Sequence, residues 1–288
     1  MSVLQSLLQR LSYQKANYLV LIDPDRKNDG HLNDLVACVN ESGADAILVG
    51  GSLIMDSGFE ERMRIIKAAS QVPVILFPGS SNQLTGQVDA ILFMSLLSGR
   101  NPQYLIGEQV QAAPMVKHLG LEVIPTGYLL MAGGRPTAVE FMSNSQPLPM
   151  DKPDIVLAHA LAAQYFGMSL VYLEAGSGAR RSVPEEVIRS VAGELDIPMV
   201  VGGGIRKPEE AAGKVRAGAR FIVTSTVLEQ ESSLPGAARS PGRIRRSGPP
   251  RAVYGQGSAE ASVHGEAEYA RAQGLDTMRA FAAAVHEG

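Results

Sequence analysis

Short apolar runs recur along the chain and alternate with stretches of helical periodicity. The runs cover residues 18–22, 46–49, 74–77, 90–94, 121–124, 170–173, 199–201 and 221–224. Each is hydrophobic almost throughout rather than at every second position, as strands of a parallel sheet are when both faces are covered. Eight such runs joined by helical stretches predict a single closed (β/α)8 barrel, the TIM-barrel architecture. Pro73 and Pro198 stand just ahead of two runs, where no ladder N–H is needed, and Gly43 and Gly218 stop the helices before two others. Leu4, Leu7, Leu8 and Leu11 fall on one helical stripe and predict an N-terminal helix that plugs the barrel floor.

Three segments break the alternation. Residues 78–88 are rich in Gly, Ser and Asn and too short for a full helix. Residues 126–153, after the fifth run, read as a long Gly/Pro-rich loop, and a loop of that length in a compact domain is usually functional. Residues 232–265 combine Gly, Pro and Ser with Arg239, Arg243, Arg245, Arg246 and Arg251. Few apolar anchors offset the ordering entropy there, which predicts a disordered insertion before a closing helix at residues 277–288. Residues 1–288 thus read as one barrel domain carrying that insertion.

Composition narrows the class. The chain has 288 residues, 45% of them apolar, which is enough for a sizeable core. A net charge of −3 gives no general attraction to nucleic acid or an anionic membrane. The single cysteine, Cys38, has no partner for an internal disulfide and lies in a helical pattern, so it reads as a buried thiol in a reducing compartment. No run approaches the roughly 18 apolar residues of a membrane span. The N-terminus lacks the basic-then-apolar order of a signal peptide. A cytoplasmic location is expected.

The residues with chemistry gather at the ends of strands, the catalytic face of a barrel. Strand six ends in "VYLEAGSGAR", strand seven in "VVGGGIRKPEEA" and strand eight in "IVTSTVLE". Gly202, Gly203 and Gly204 let the backbone approach an anion, Pro208 opens the next helix, and Ser225 and Thr226 echo the pattern one unit later. That combination predicts a phosphate site, with Arg206 or Lys207 adding charge. Glu174, between Tyr172 and the glycines Gly176 and Gly178, is placed to accept a proton from a substrate hydroxyl or to bind that hydroxyl. Asp23, in "LIDPDRK", and Ser52, in "LVGGS", lie at the ends of adjacent strands. They form a sparse oxygen site suited to Mg²⁺, with Asp25 the weaker rival of Asp23.

Taken in order, "LIDPD", "LVGGS", "VILFPGSS", "AILFMSLLSGRNPQYLIGEQ", "EVIPTGYLLMAGG", "KPDIVLAHALAAQYFGM", "VYLEAGSGA" and "VVGGGIRKPEEA" resemble the geranylgeranylglyceryl phosphate synthase family. The resemblance covers residues 18–230, and it is to the larger group rather than to the shorter heptaprenylglyceryl phosphate synthases. It implies a barrel modified at its third helix, which a strand or loop replaces. It also implies transfer of a geranylgeranyl group from its diphosphate to the C3 hydroxyl of sn-glycerol 1-phosphate. By the same resemblance, Asp23 and Ser52 would hold Mg²⁺. Tyr172, Leu173, Glu174, Ala175, Gly176, Ser177, Gly178, Gly203, Gly204, Ser225 and Thr226 would bind glycerol phosphate. Phe93, Met94, Leu96, Leu97, Tyr104 and residues 128–131 are candidates for an apolar groove that takes the prenyl tail. A homo-oligomer, with at most peripheral membrane contact and no nucleic acid, completes the expected partners.

This chain carries Ser225 where the family usually has Gly. If the turn there needs φ > 0, serine is strained, and binding of glycerol phosphate is expected to weaken. Two other readings stay open on the residues alone. One is a phosphosugar aldose–ketose isomerase, which usually pairs acids on strands one and five. The other is a non-catalytic barrel that senses phosphometabolites.

Overall fold

A computed structural model describes residues 1–225 and 259–288 of the chain. Eight parallel strands close into a barrel in chain order, with β8 returning to pair with β1. They are β1 Asn17–Ile22, β2 Ala46–Val49, β3 Val74–Leu76, β4 Ala90–Leu96, β5 Glu122–Leu130, β6 Leu170–Glu174, β7 Met199–Gly202 and β8 Phe221–Ser225. Every predicted run is a strand. The helices are α1 Val3–Arg10, α2 Leu32–Ser42, α3 Phe59–Ala69, α4 Glu108–Leu119, α5 Ala138–Ser143, α6 Pro153–Tyr165, α7 Glu185–Ala192, α8 Pro208–Arg216 and α9 Ala259–Glu287. Between β3 and β4 there is only a 3-10 turn, Ser81–Gln83, so the helical ring is interrupted where the resemblance implied.

Strand side chains alternate between two cores. Tyr18, Val20, Ile47, Val49, Val171 and Leu173 point outward and pack against the helices, whereas Leu19, Leu48, Ile75, Leu92, Tyr172 and Val223 fill the barrel. The inner core extends down to Leu7 of α1. The first backbone N–H groups of α1, at Val3 and Leu4, donate to the Glu122 carboxylate at the bottom of β5, and Asn17 donates to the Leu7 carbonyl at 3.0 Å. The N-terminal helix therefore plugs the floor, as predicted, although Leu8 from the same stripe remains exposed. Cys38 is buried in α2, as its pattern implied.

The strand β5 is longer than its apolar run. The expected loop at residues 126–153 begins only after Leu130, and α5 occupies part of what remains. Pro125 is no stop, for a geometric reason. Its carbonyl accepts from Ser169 at 2.8 Å, so its missing N–H faces the β6 side, and β6 starts only at Leu170. No ladder bond is lost.

The closing helix also starts earlier than its pattern indicated. α9 begins at Ala259, inside the segment read as an insertion; residues 232–258 of that segment lie outside the described residues. α9 packs against α2, α8 and β1. Phe281 stacks on Tyr18 with ring centroids 6.1 Å apart, and the Lys15 N–H donates to the His286 carbonyl at 2.9 Å. Phe281→Ala should therefore cost about 3–5 kcal/mol, because both rings are buried and the cavity cannot collapse easily. A urea midpoint that does not move would show that α9 contributes little to closure.

Candidate active site at the barrel mouth

The inward set of side chains continues to the C-terminal rim, and that alternation builds the site. Asp23 follows Leu19 and Leu21, Glu174 follows Leu170 and Tyr172, and Ser225 follows Phe221 and Val223. All three line one cavity of about 820 Å³. Gly50, Gly51, Ser52, Gly176, Ser177, Gly178, Gly203 and Gly204 line it too, so the residues read from strands one, two, six, seven and eight meet in one place. Of the tail-groove candidates, Phe93, Met94, Leu96, Tyr104 and Tyr128 border the cavity, joined by Phe77, Val139 and Met142, whereas Leu97 and residues 129–131 do not.

Glu174 is the buried acid of the site. Its Oε1 accepts the Gly176 N–H at 2.7 Å, and the carboxylate lies across the start of the β7 loop. A Cβ on Gly203 would come within 2.3 Å of Oε1, and one on Gly202 within 2.6 Å of both Oε2 and the Tyr172 hydroxyl. Glycine is required at both positions because the carboxylate fills the space. Gly203 also has φ +78°, which other residues rarely adopt. Burial pushes the Glu174 carboxyl above its ordinary value, while the neighbouring Tyr172 hydroxyl and the Gly176 N–H partly oppose that rise. The Tyr172 hydroxyl is pushed well up by burial and then by Glu174, so it stays protonated and is a permanent donor. Phe77 and Tyr128 pack on the Tyr172 ring, both with centroids 5.5 Å from it, and hold it in one orientation.

The opposite corner is more open. Asp23 Oδ1 hangs over Gly51, 3.0 Å from where a Cβ would stand, which brings the carboxylate to the Gly51–Ser52 backbone. Lys27 pairs with Asp23 Oδ2 at 3.3 Å. Burial raises the Asp23 carboxyl and Lys27 counters that effect. Asp25 instead accepts the Lys27 N–H at 2.9 Å, the turn-capping role of the weaker rival. Arg62, which sequence reasoning passed over, is buried between the two loops. Its guanidinium donates to Asp29 and Asp56 and to the Pro24 carbonyl, and so ties the loop carrying Asp23 to the one following Ser52.

One carboxylate and one hydroxyl at this corner form an all-oxygen donor set, and the carboxylate is partly exposed. Mg²⁺ bound through one or two protein oxygens, with water and substrate phosphate as its other ligands, fits that set. Among the described residues, no three His, Cys, Asp or Glu side chains converge on one point, so the substrate would have to complete the coordination.

Several expected ligands are placed differently. Leu173 and Ala175 turn outward into the helix-facing core, leaving only their backbone for binding. Arg206 is committed to protein carbonyls. It donates to Ala179 at 2.6 Å and to Arg180 and Gly204 at longer range, clamping the loop after β6 to the loop after β7. The start of α8 holds its own carboxylate, since Glu210 accepts the Arg206 N–H at 2.9 Å. Thr226 lies outside the described residues. The strain expected at Ser225 is absent. Ser225 is the last residue of β8, pairs in register with Leu21, and is not among the residues with positive φ.

Known proteins resemble this chain in sequence and in fold. The PcrB family model matches residues 11–238. The chain is 43% identical over 232 residues to the geranylgeranylglyceryl phosphate synthase of Chitinophaga pinensis, covering 81% of this chain and 92% of the relative. It is 44% identical over 227 residues to the synthase of that name from Thermococcus kodakarensis, covering 78% and 89%. Among solved structures, the wild-type GGGPS of Thermoplasma volcanium superposes with a TM-score of 0.80 at 30% identity, covering 99% of this chain and 98% of that one. The Thermoplasma acidophilum (S)-3-O-geranylgeranylglyceryl phosphate synthase, crystallised with its substrate sn-glycerol-1-phosphate, gives 0.77 at 33%, covering 99% of each chain. With a family model across most of its length and relatives above two-fifths identity, the chain belongs to the PcrB family, alongside the geranylgeranylglyceryl phosphate synthases.

Proposed function

We propose that the protein transfers a geranylgeranyl group from geranylgeranyl diphosphate to the C3 hydroxyl of sn-glycerol 1-phosphate, making geranylgeranylglyceryl phosphate for ether-lipid synthesis. The observation that carries this reading is the continuity of the cavity. A carboxylate–hydroxyl corner, a buried glutamate in a glycine cradle and an apolar wall of Phe93, Met94, Tyr104 and Met142 border a single space. Its volume is within the roughly 300–1,000 Å³ of small-molecule sites.

The chain's own residues divide the work. Glu174 binds the glycerol hydroxyl and takes its proton as the oxygen attacks the first carbon of the prenyl chain. Tyr172, held protonated, orients that carboxylate or the substrate oxygen. The loops at residues 177–178 and 203–204 hold the phosphate with backbone N–H groups. As the C–O bond to the diphosphate breaks, the prenyl carbon becomes cationic, and the apolar wall keeps water from intercepting it. Asp23 and Ser52 would hold Mg²⁺, whose charge, when bound, neutralises the departing diphosphate.

Incubation with labelled sn-glycerol 1-phosphate, Mg²⁺ and a ladder of prenyl diphosphates should give one ether product, whose mass fixes the chain length. No product with any donor would reject the transfer reading. The isomerase alternative is weakened because β5 reaches the mouth at Tyr128–Leu130 without an acid to pair with Asp23. No helix among the described residues is long and apolar enough to cross a membrane. The reading carries a homo-oligomer as the working form, for which the exposed aromatics Phe141, Tyr165 and Phe166 offer apolar surface.

Ser225 supplies a sharp test of the phosphate side. With an extended backbone and its side chain on the inward set, its hydroxyl is a donor into the cavity rather than a source of strain. Ser225→Gly should raise KM for glycerol phosphate by about 10-fold, the effect of one hydrogen bond to a charged group. KM for the prenyl diphosphate should not change. A fall in KM for glycerol phosphate would show that the side chain obstructs the site.

A further inference from the structure

A cavity that takes phosphorylated substrates needs positive charge, and most of the charge on this wall is already committed. Among the described residues, the cationic side chains lining the cavity are Lys27, Arg135 and Arg206. Lys27 is paired with Asp23. Arg206 is held by the carbonyls of Ala179, Arg180 and Gly204. Among the described residues, Arg135 has no hydrogen-bond or ion-pair partner.

Its position is nevertheless well defined. Arg135 belongs to the turn at residues 133–137 between β5 and α5, and that turn is bolted to the loop after β6. The Arg180 and Arg181 N–H groups donate to the Gly133 carbonyl at 2.8 and 3.2 Å. The Thr137 side chain covers Gly176, where an added Cβ would lie 2.3 Å from Cγ2. The Arg135 guanidinium crosses Gly178, where a Cβ would stand 1.9 Å from Nη2. The space left by the missing Gly178 side chain is therefore occupied by a guanidinium that faces the cavity.

We propose that Arg135 grips the phosphate of sn-glycerol 1-phosphate from above the loop at residues 176–178. The identity of that phosphate rests on the prenyl-transfer reading. Its placement rests on the turn, which flanks the Glu174 loop, whereas Asp23 and Ser52, in the loops after β1 and β2, would serve the diphosphate. A guanidinium presents a planar fork of donors that matches two phosphate oxygens at once, which neither a backbone N–H nor a lysine does. The residue is a binding group and moves no proton.

Calorimetric titration of the wild type, Arg135→Gln and Arg135→Lys with sn-glycerol 1-phosphate, and separately with geranylgeranyl diphosphate, tests this. In Arg135→Gln, the Kd for sn-glycerol 1-phosphate should rise roughly 10–100-fold, the loss of a charge-assisted pair. Arg135→Lys should fall between, the Kd for geranylgeranyl diphosphate should hold, and thermal unfolding should not shift because the side chain has no polar partner among the described residues. Unchanged affinity of Arg135→Gln for sn-glycerol 1-phosphate overturns the proposal and leaves prenyl transfer standing. Weakening of geranylgeranyl diphosphate alone also overturns it, since the arginine then serves the other phosphoryl group. A wild type that binds no sn-glycerol 1-phosphate defeats the transfer reading, and the proposal with it.

Discussion

Asp23→Asn should leave the barrel folded and reduce prenyl transfer by roughly 10³-fold or more, the size of several kcal/mol of lost charge stabilisation. In the proposed reaction, Mg²⁺ at the Asp23–Ser52 corner would neutralise the departing diphosphate, and asparagine is a weaker ligand than aspartate for a hard dication. The fold is expected to survive because the substitution is isosteric and the side chain is 39% exposed. Asn28 also bonds to the Asp23 backbone carbonyl, a contact that the substitution leaves in place. The measurement is kcat against Mg²⁺ concentration, with an unfolding curve beside it. A mutant that retains both turnover and the wild-type Mg²⁺ dependence would remove Asp23 from the metal site.

Glu174→Gln should lower kcat by about 10²–10⁴-fold, the usual contribution of a general base, while making the protein more stable at neutral pH. The two effects share one cause. Burial raises the Glu174 carboxyl above its ordinary value, so the folded state favours its neutral form. The corresponding stability is fully present below the unfolded-state value and is lost as pH rises through the folded-state value. Glutamine keeps an oxygen for the Gly176 N–H and carries no charge, so it escapes that loss. The mutant's advantage in thermal midpoint should therefore be present at neutral pH and vanish in acid, below the ordinary carboxylate value. In the wild type, kcat should fall as pH drops through the raised value, because the base is then protonated; in the mutant that limb should be missing. A defect confined to KM for glycerol phosphate would make Glu174 a binding group.

The strands were readable because a strand buried on both faces leaves an uninterrupted apolar run, whatever its neighbours. The placement of Asp23 and Glu174 at the mouth was readable because strand alternation carries their side chains inward at the rim. What depended on neighbours was hidden. Pro125 looked like the end of β5 because the start of β6, which makes its missing N–H harmless, lies more than 40 residues away in the chain. Ser225 was expected to be strained because a residue type does not reveal its φ, and the pairing with Leu21 that keeps it extended is long-range. Arg206 and Arg135 were indistinguishable as letters. The carbonyls that occupy the first come from another loop, and the space that admits the second is the absent side chain of Gly178. A lone arginine in the glycine-rich "GGRPT" was the only hint of the second.

The ring is covered at its seam by a helix made long after the strand it packs on. Tyr18, Val36 and Val39, near the start of the chain, end up beside a helix whose buried face is Met278, Phe281, Ala282 and Val285. At roughly 5–20 residues per second, a ribosome would need on the order of tens of seconds to travel from β1 to that helix. For most of that interval β1 lacks β8 on one edge, and throughout it lacks its covering helix, so the nascent chain exposes an unpaired strand edge and apolar side chains. The barrel can complete itself only once that helix has been made, and until then the nascent chain depends most on chaperones and is most exposed to aggregation.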